Sequence, residues 1–427
     1  MSQQEQTKSA SPIQTGSNPE LLNPQDPSYV LGKLLVTTVT LAASTWGMLL
    51  YTTAATVVTS EFGYSATAIG YHVSLAYFAA MICSLYAGNA TVIIGARRSL
   101  ILAMLLVGFG ALITTVFGLY GMFFGALLMG SGHGLTNPAS AILLQSASLS
   151  SRRSLLFSIK QSGAPVGGLL TAIVTPAMTQ NFGWRSAGFA LAVACLATAV
   201  LTWALGRKWG TAGKFRKSFS SMSLNPLTSL TLVFQSAGLR ALAFMAMCYS
   251  CVQICILSFL SPYLVEELGL TLIIAGSVVA LAQIGGGIGR PLWGWTADRI
   301  GKNALMLRIL GIVTAIGCLL PLVGSAPVNV ALISVLVLIF GTASVGWNGV
   351  MFAEIVNISD RSSAAQATSG VAAMIFTAVM VGPSLFAIVK ELAGPYSLTI
   401  ALFSVMSLTG VFMTIILQKT KTIVPDD

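Results

Sequence analysis

Two basic residues, Arg290 and Lys160, stand inside long apolar stretches of this sequence. A charge held within a membrane-spanning segment is costly unless it is paired or solvated, so each of them is a candidate for function. The guanidinium of Arg290 keeps its proton and presents a planar fork that suits a carboxylate. Arg290 therefore predicts an anion-binding site. The alternative is a structural arginine that binds backbone carbonyls or reaches the lipid headgroups.

Lys160, in the segment 157–162, is the second basic candidate. We predict that it acts as a second base for the substrate or as a coupling group, with Gln161 as its polar neighbour. Because the position lies about two turns into its apolar segment, the alternative is a flexible side chain that lifts its ammonium to the membrane interface.

Acidic residues are nearly missing from the apolar segments. The first half has no Asp or Glu in them, and in the second half only Glu354 comes close, near the inner end of a segment. A cation carrier needs negative charge near the membrane midplane, whereas net positive charge there favours an anion. We predict that Glu354 joins Asp298 and a loop arginine in a cytoplasmic gate. The alternative is direct handling of substrate or protons.

Other polar and aromatic side chains complete the candidate site. His72 and His133 are candidates for carrying a coupling proton, because an unperturbed imidazole titrates near about pH 6.5; packing or hydrogen-bonding roles are the alternative. The residues predicted to line a pocket are Tyr51, Tyr249, Gln253, Trp347 and Asn348. The spacing of Cys248, Cys251 and Cys255 suits a metal site less well than a helix interface, so no metal and no cofactor is predicted.

The elements that must position these residues are membrane-spanning helices. Only 8% of the 427 residues are charged, and 55% are hydrophobic with a mean hydropathy of +0.84, whereas soluble domains carry about 25% charged residues. This composition excludes a soluble enzyme, a disordered chain and a disulfide-rich secreted module. A crossing helix needs about 20 apolar residues. Twelve such segments lie at about 34–58, 68–90, 98–117, 121–145, 155–180, 186–206, 240–263, 271–293, 304–323, 328–352, 366–389 and 396–418.

A basic, Ser-rich stretch after the sixth segment divides the chain into two halves of similar length. The predicted organisation is a disordered cytoplasmic tail at 1–30, a six-helix bundle at 31–206, a cytoplasmic linker at 207–239, a second six-helix bundle at 240–418 and a cytoplasmic tail at 419–427.

The basic residues predict the orientation of the chain. With a cytoplasmic N-terminus, 18 of the 22 Lys and Arg residues fall on the cytoplasmic side, and only Arg185 and Lys390 on the other. This asymmetry is what the positive-inside rule expects. The net charge of +10 is therefore an orientation signal, and no nucleic-acid partner is predicted. We expect a multi-pass protein of the inner (plasma) membrane with both termini cytoplasmic.

A glycine-containing loop occurs once in each half of the sequence. In the second half, Gly294, Asp298, Arg299, Gly301 and Lys302 match the loop signature Gly-x-x-x-Asp-Arg-x-Gly-(Arg/Lys)-(Arg/Lys). The first half keeps Gly88, Gly95, Arg97 and Arg98, with Val92 in place of the Asp. With these loops the chain resembles the major facilitator superfamily. The resemblance implies an all-α polytopic membrane protein with twelve transmembrane helices in two pseudo-symmetric six-helix bundles.

Two further segments carry the resemblance. Residues 163–168 look like the superfamily's Gly-Pro-rich antiporter motif, which bends the fifth helix. Residues 286–301 resemble the eighth helix of the oxalate:formate antiporter and monocarboxylate porter group, in which the Arg of an Arg-Pro pair binds substrate carboxylate. That role would fall to Arg290. The oxalate antiporter's second base, a Lys in the eleventh span, has no counterpart, since Phe376 stands near that place. In this fold the fifth and eighth helices face each other, so Lys160 and Arg290 are expected at similar depths.

The sequence thus predicts a secondary transporter of a small organic anion, with a monocarboxylate as the preferred class. A proton gradient or a counter-anion gradient would drive it, and no ATP-binding signature is present. The alternative transporter is a proton-driven efflux pump for hydrophobic drugs or metabolites. A receptor or scaffold is a third interpretation. No enzyme is predicted, because the sequence shows no nucleophile–base set. The expected protein is a monomer in the lipid bilayer.

Overall fold

The computed structural model describes residues 27–64, 69–147, 150–207, 209, 225, 227–322 and 329–423. The described part is built from helices and their connections. The first bundle comprises α1 (Pro27–Leu49), α2 (Ala55–Ser60), α3 (Ile69–Ile94), α4 (Ala96–Val116), α5 (Gly118–Gln145), α6 (Arg153–Gln161), α7 (Gly163–Phe182) and α8 (Arg185–Gly206). Then come α9 (Leu227–Gln235) and the second bundle of α10 (Ala237–Glu266), α11 (Leu272–Ile300), α12 (Asn303–Leu319), α13 (Val330–Ser344), α14 (Asn348–Ile358), α15 (Ala364–Ala393), α16 (Tyr396–Leu402) and α17 (Ser404–Ile423).

The twelve predicted segments correspond to these helices, six in each bundle. In the part of the chain that the structure describes, nine helical stretches are long and apolar enough to cross a membrane. The other three predicted spans are α5, the pair α6–α7, and α11. These three carry His133, Lys160 and Arg290, so the two buried bases and one candidate histidine lie in less apolar spans.

Four predicted spans are interrupted rather than continuous. The first is divided between α1 and α2, the fifth between α6 and α7 just before Pro165, the tenth between α13 and α14 around Gly346, and the twelfth between α16 and α17 at Phe403. In the fifth and tenth spans, proline and glycine weaken the helix because proline lacks an N–H group and glycine gains backbone freedom. The first span begins at Pro27, seven residues before its predicted start.

The two predicted tails and the linker fall partly outside the described residues. The tail at 1–30 is described only from residue 27, the linker at 207–239 only at 207, 209, 225 and from 227 onward, and the tail at 419–427 only to residue 423. Within that linker, the structure contains α9 rather than only a polar connection. The Ser229 hydroxyl donates to the carbonyl of Leu85 in α3 (3.2 Å). A Cβ atom at Gly370 of α15 would lie only 2.4 Å from the Ser229 carbonyl oxygen, so α9 contacts both bundles.

The two bundles pack together at the face where α1 begins and α17 ends, which we call the terminal face; the opposite side is the distal face. There α6 packs on α11 and α14, and the end of α3 packs on the start of α15. Glycines permit these close approaches. A Cβ atom at Gly294 would lie 2.4 Å from the Ser158 hydroxyl, and one at Gly88 would lie 2.6 Å from the Cα of Gln366. The structure is therefore closed at its terminal face.

Candidate functional site

Arg290 lies on α11 where the two bundles meet, with only 4% of its surface exposed. Its Nε donates to the carbonyl of Val345 (3.1 Å), which lies between α13 and α14 of the same bundle. Its Nη1 donates to the carbonyl of Gln161 at the end of α6 in the other bundle. The guanidinium thus joins the two bundles through neutral backbone oxygens.

Lys160 approaches the same junction from the first bundle and is also buried. Its Nζ donates to Oδ1 of Asn137 on α5 (2.5 Å) and lies 5.6 Å from the centre of the Phe352 ring on α14. The ammonium is therefore held in the interior and does not reach the membrane interface.

The charges of these two bases are not balanced by acidic groups. Among the residues that the structure describes, neither Lys160 nor Arg290 forms an ion pair. The two side chains approach each other at Gln161, which follows Lys160 in α6 and whose carbonyl binds Arg290. The junction between the bundles therefore holds two buried basic side chains whose partners are an amide oxygen, backbone carbonyls and an aromatic ring.

Three of the predicted pocket residues form one hydrogen-bonded group beside Arg290. Oε1 of Gln253 on α10 accepts from Nε1 of Trp347 (3.1 Å) and from Nδ2 of Asn348 (3.2 Å). Asn348 also donates to the Val345 carbonyl (3.3 Å), the same oxygen that binds Arg290. On the opposite side of the junction, the Gln161 side chain donates to Asn137 (3.4 Å).

The two predicted pocket tyrosines lie away from this junction. Tyr249 is buried in the second bundle, where its hydroxyl donates to the Leu307 carbonyl of α12 (3.1 Å). Only its ring reaches toward the group, edge-on to Trp347 at 5.5 Å. Tyr51 is buried between Trp184 and His72, with ring centres 5.4 and 6.0 Å away.

The two histidines occupy different environments. Nδ1 of His133 lies 3.0 Å from the Ser44 hydroxyl, and its ring is 5.5 Å from the Phe376 ring across the bundle interface. Asn137, one turn further along α5, binds Lys160. By contrast, Nδ1 of His72 lies 3.0 Å from the Met122 carbonyl. The structure therefore brings His133, and not His72, toward Lys160.

The terminal face is closed by bonds that join α6 to the second bundle. The Asp298 carboxylate accepts from the backbone N–H groups of Ser154 (2.9 Å) and Leu155 (2.8 Å). The Ser154 hydroxyl donates to Asn303 (3.0 Å), and the Arg153 guanidinium donates to Asn357 (2.6 Å). The first N–H groups of a helix have no partners within it and carry partial positive charge. A carboxylate from the other bundle therefore supplies the cap of α6.

A family model described as Major Facilitator Superfamily matches residues 35–383 and also residues 242–425. The chain belongs to the Major Facilitator Superfamily. It is a multi-pass membrane transporter of small molecules and not an enzyme. No curated protein matches the sequence.

Solved transporters share this fold at low sequence identity. The chain is similar to FucP in the outward conformation, with 14% identity over 91% of this chain and 99% of that one and a TM-score of 0.71. It is also similar to a bacterial homologue of the iron transporter ferroportin in the outward-facing state, with 13% identity over 92% of this chain and 99% of that one and a TM-score of 0.71. For the proton:xylose symporter XylE, the identity is 16% over 90% of this chain and 95% of that one, with a TM-score of 0.69. These structures support the fold, the family model shows the superfamily, and neither extends to the oxalate:formate antiporter and monocarboxylate porter group.

The superfamily loop motif has different surroundings in its two copies. In the second copy, Gly301 ends α11 in the left-handed conformation (φ 70°), Arg299 stacks on Trp295 at 5.5 Å, and Lys302 is exposed. In the first copy, Arg97 donates to the Trp203 carbonyl on α8 (2.7 Å) while Arg98 is exposed.

The structure places Glu354 and Asp298 at the terminal face together with a loop arginine. The fully buried Glu354 side chain lines a cavity of about 490 Å³ together with Asp298, Ser154, Asn303 and Asn357. The loop arginine is Arg153, which donates to Asn357, whereas the motif arginine Arg299 stacks on a tryptophan. The Asp298 carboxylate accepts from two backbone N–H groups. A sequence pattern reports which side chains are present but not which exposed backbone groups they meet.

Asn137 occupies a place in the fourth span equivalent to that of Asn348 in the tenth, which predicts that it hydrogen-bonds between helices or lines the cavity. The structure places it against Lys160 and Gln161. Phe352 and Ser44 were not predicted, since each reaches the site from another helix. The Gln161 and Val345 carbonyls belong to the backbone, so no pattern of side chains could have indicated them.

Proposed function

We propose that this transporter carries a small organic anion, with a monocarboxylate as the preferred class, by alternating access between the two bundles. The observation that carries the proposal is the pair of buried bases, Arg290 and Lys160, one from each bundle and each bound to neutral acceptors. Two like charges in a poorly hydrated interior raise the free energy of the empty state. A bound carboxylate would lower it.

The chemistry of the two bases suits different parts of that task. A guanidinium presents parallel N–H donors to both oxygens of a carboxylate, whereas an ammonium acts as a compact point charge. We infer that Arg290 orients the carboxylate and that Lys160 adds attraction from the first bundle. Trp347, Asn348 and Gln253 lie on the same side as Arg290 and would contact the remainder of the substrate.

The closed terminal face supports entry of the substrate from the distal face. Alternating access then requires the α6 contacts with Asp298, Asn303 and Asn357 to separate while the substrate stays between the bundles. We propose that the terminal face is cytoplasmic, in an inner (plasma) membrane, that the bundles extend over about 31–206 and 240–418, and that the protein works as a monomer.

Coupling by proton symport and coupling by anion exchange both fit these residues. Symport is favoured by the position of His133, which pairs with Ser44 and lies one turn before Asn137, the partner of Lys160. A proton on either group would accompany one monoanion, so that the transported pair carries no net charge. Anion exchange would need no titrating group, and the two bases alone would suffice.

The test is a thermal-shift panel on the purified protein. It would compare formate, lactate and oxalate with neutral sugars and hydrophobic drugs, and would be repeated with Arg290→Lys and the control Arg308→Lys. Arg308 binds Thr414 and Gln418 away from the junction. We expect carboxylates to stabilise the wild type and the control, and Arg290→Lys to abolish the effect. Stabilisation by drugs alone would favour the efflux alternative and contradict the proposal.

A further inference from the structure

The Gln161 carbonyl is exposed by a defect in the backbone hydrogen bonds of the fifth span. In a helix, this oxygen would accept from the N–H of the residue four positions later, which is Pro165 and has none. The pattern is intact on both sides. Ser162 donates to Ser158 (3.1 Å), and Val166 donates to Ser162 (3.3 Å). The proline thus removes one donor without unwinding the neighbouring turns.

Arg290 of the opposite bundle donates to the Gln161 carbonyl, the acceptor that Pro165 leaves without a partner in its own helix. Freed backbone groups within a membrane must find another partner, and a charged donor is a strong one. The same guanidinium also binds the Val345 carbonyl at the break between α13 and α14. One side chain therefore connects a helix break in each bundle, close to the level of Lys160.

We propose that the Gln161 carbonyl is an internal substitute for the substrate anion, and that Pro165 is the positioning residue that makes it available. In the empty transporter, the bond from Arg290 to Gln161 holds the bundles together on the terminal side of the site. A carboxylate competes with the carbonyl for the same N–H donors. When it binds, Arg290 leaves α6, and the contact between the bundles weakens. The competition with a carboxylate rests on the proposed function, whereas the contact in the empty protein does not.

The variant Pro165→Ala tests the proposal by restoring the missing donor. An alanine N–H would satisfy the Gln161 carbonyl within the helix and weaken its bond to Arg290. The matched control is Pro176→Ala, because Pro176 lies in the same α7 helix but four residues after Ala172, which has no part in the site. Both variants remove one proline from the same span, so a general effect on helix stability should appear in both.

The measurement is hydrogen–deuterium exchange of α14 (Asn348–Ile358) in the full-length protein without substrate. This helix packs on α6 and lies in the other bundle, so repair of the α6–α7 helix does not directly slow its exchange. We expect exchange in α14 to be about tenfold faster in Pro165→Ala, as for loss of a charge-assisted hydrogen bond. The wild type and Pro176→Ala should be alike. Equal or slower exchange in Pro165→Ala would overturn the proposal.

A second arm separates this proposal from the proposed function. Formate, lactate and oxalate are added to the wild type, and α14 exchange is measured again. A carboxylate that binds should accelerate exchange in the wild type, and in Pro165→Ala it should bind about tenfold more tightly because its competitor is lost. If no carboxylate binds, the proposed function fails, and the substrate-free comparison still decides the contact. Binding without acceleration in the wild type would overturn the competition.

Discussion

The Asp298 carboxylate of α11 caps the first turn of α6 in the opposite bundle through the backbone N–H of Ser154 (2.9 Å). A capping bond of this kind can be broken and remade without leaving a buried side chain unpaired, because both groups gain water when the bundles separate. The relationship therefore suits a transporter that must close and open its terminal face in each cycle.

Replacing Asp298 with Asn should loosen this closure. The amide loses the negative charge that favours the positive end of α6, which is worth about 1 kcal/mol together with the cap itself. We expect exchange of α6 amides to accelerate about fivefold by hydrogen–deuterium exchange. The control is Asp360→Asn, a second aspartate at the terminal face whose backbone carbonyl, and not its side chain, accepts from Ser363 and Ala364. Unchanged exchange in Asp298→Asn would contradict the assigned cap.

Replacing Lys160 with Gln should lower the affinity for a carboxylate and raise the stability of the empty protein. Removing one of two buried like charges is expected to stabilise the empty protein, while the affinity for a carboxylate falls by at least about tenfold. Thermal unfolding with and without anion measures both effects. Lys33→Gln is the matched control, since Lys33 is equally buried but binds Tyr29 (2.6 Å) and Ser146 (2.8 Å). A carboxylate affinity that Lys160→Gln leaves intact would exclude Lys160 from the site.

Replacing His133 with Gln should separate proton coupling from binding. If symport operates, anion-driven acidification or alkalinisation of proteoliposomes should disappear, while carboxylate binding stays within about threefold of wild type. His72→Gln should leave coupling unchanged, because His72 pairs with the Met122 carbonyl away from the bases. Coupling that persists in His133→Gln, or is lost in His72→Gln, would contradict this assignment.

The distal face carries a pair whose contribution depends on pH. Glu61 accepts from Arg185 (2.5 and 2.9 Å) and from Trp184 (2.6 Å), and the bonds from Arg185 and then Trp184 lower the pKa of the Glu61 carboxyl. A lowered folded-state pKa means that the stabilisation is present above the unfolded value of about 4.3 and is lost as the pH falls through the folded value. Because the pair is exposed, it is worth about 0.2–1 kcal/mol.

Glu61→Gln should therefore lower the unfolding temperature slightly at about pH 7, by about 2 °C or less. The difference from wild type should shrink toward zero as the pH falls through the lowered folded-state pKa of Glu61, below which the wild type also lacks the charge. The control is Glu391→Gln, an exposed distal glutamate that should show no such trend. A gap between wild type and Glu61→Gln that widens on acidification would contradict the assignment.

The sequence predicted the fold well because each span is recognisable as a run of about 20 predominantly apolar residues. It did not predict the four interrupted spans, since apolar composition continues across Tyr51, Pro165, Gly346 and Phe403 where the regular helix stops. The two buried bases were found because charges are rare in such helices. Their meeting at one junction followed only from the resemblance to the superfamily, since periodicity along one helix gives no information about another bundle.

The pocket aromatics show the limit of side-chain patterns. Tyr51 follows the end of α1 and Tyr249 lies on α10, and both segments are so apolar that the sequence does not reveal which face turns inward. Both tyrosines lie in packed interiors away from the junction. Trp347 and Asn348 lie beside it, because they follow the break before α14 and meet Gln253 there.

The most direct measurement for the central claim is uptake of labelled formate, lactate and oxalate by proteoliposomes that contain wild type, Arg290→Lys or Arg308→Lys. The lysine keeps the positive charge and removes the planar fork. Wild type and Arg308→Lys should accumulate at least one of these anions against a proton or counter-anion gradient, and Arg290→Lys should lose that uptake by at least about tenfold. Undiminished anion uptake by Arg290→Lys, or no anion uptake by the wild type, would contradict the account.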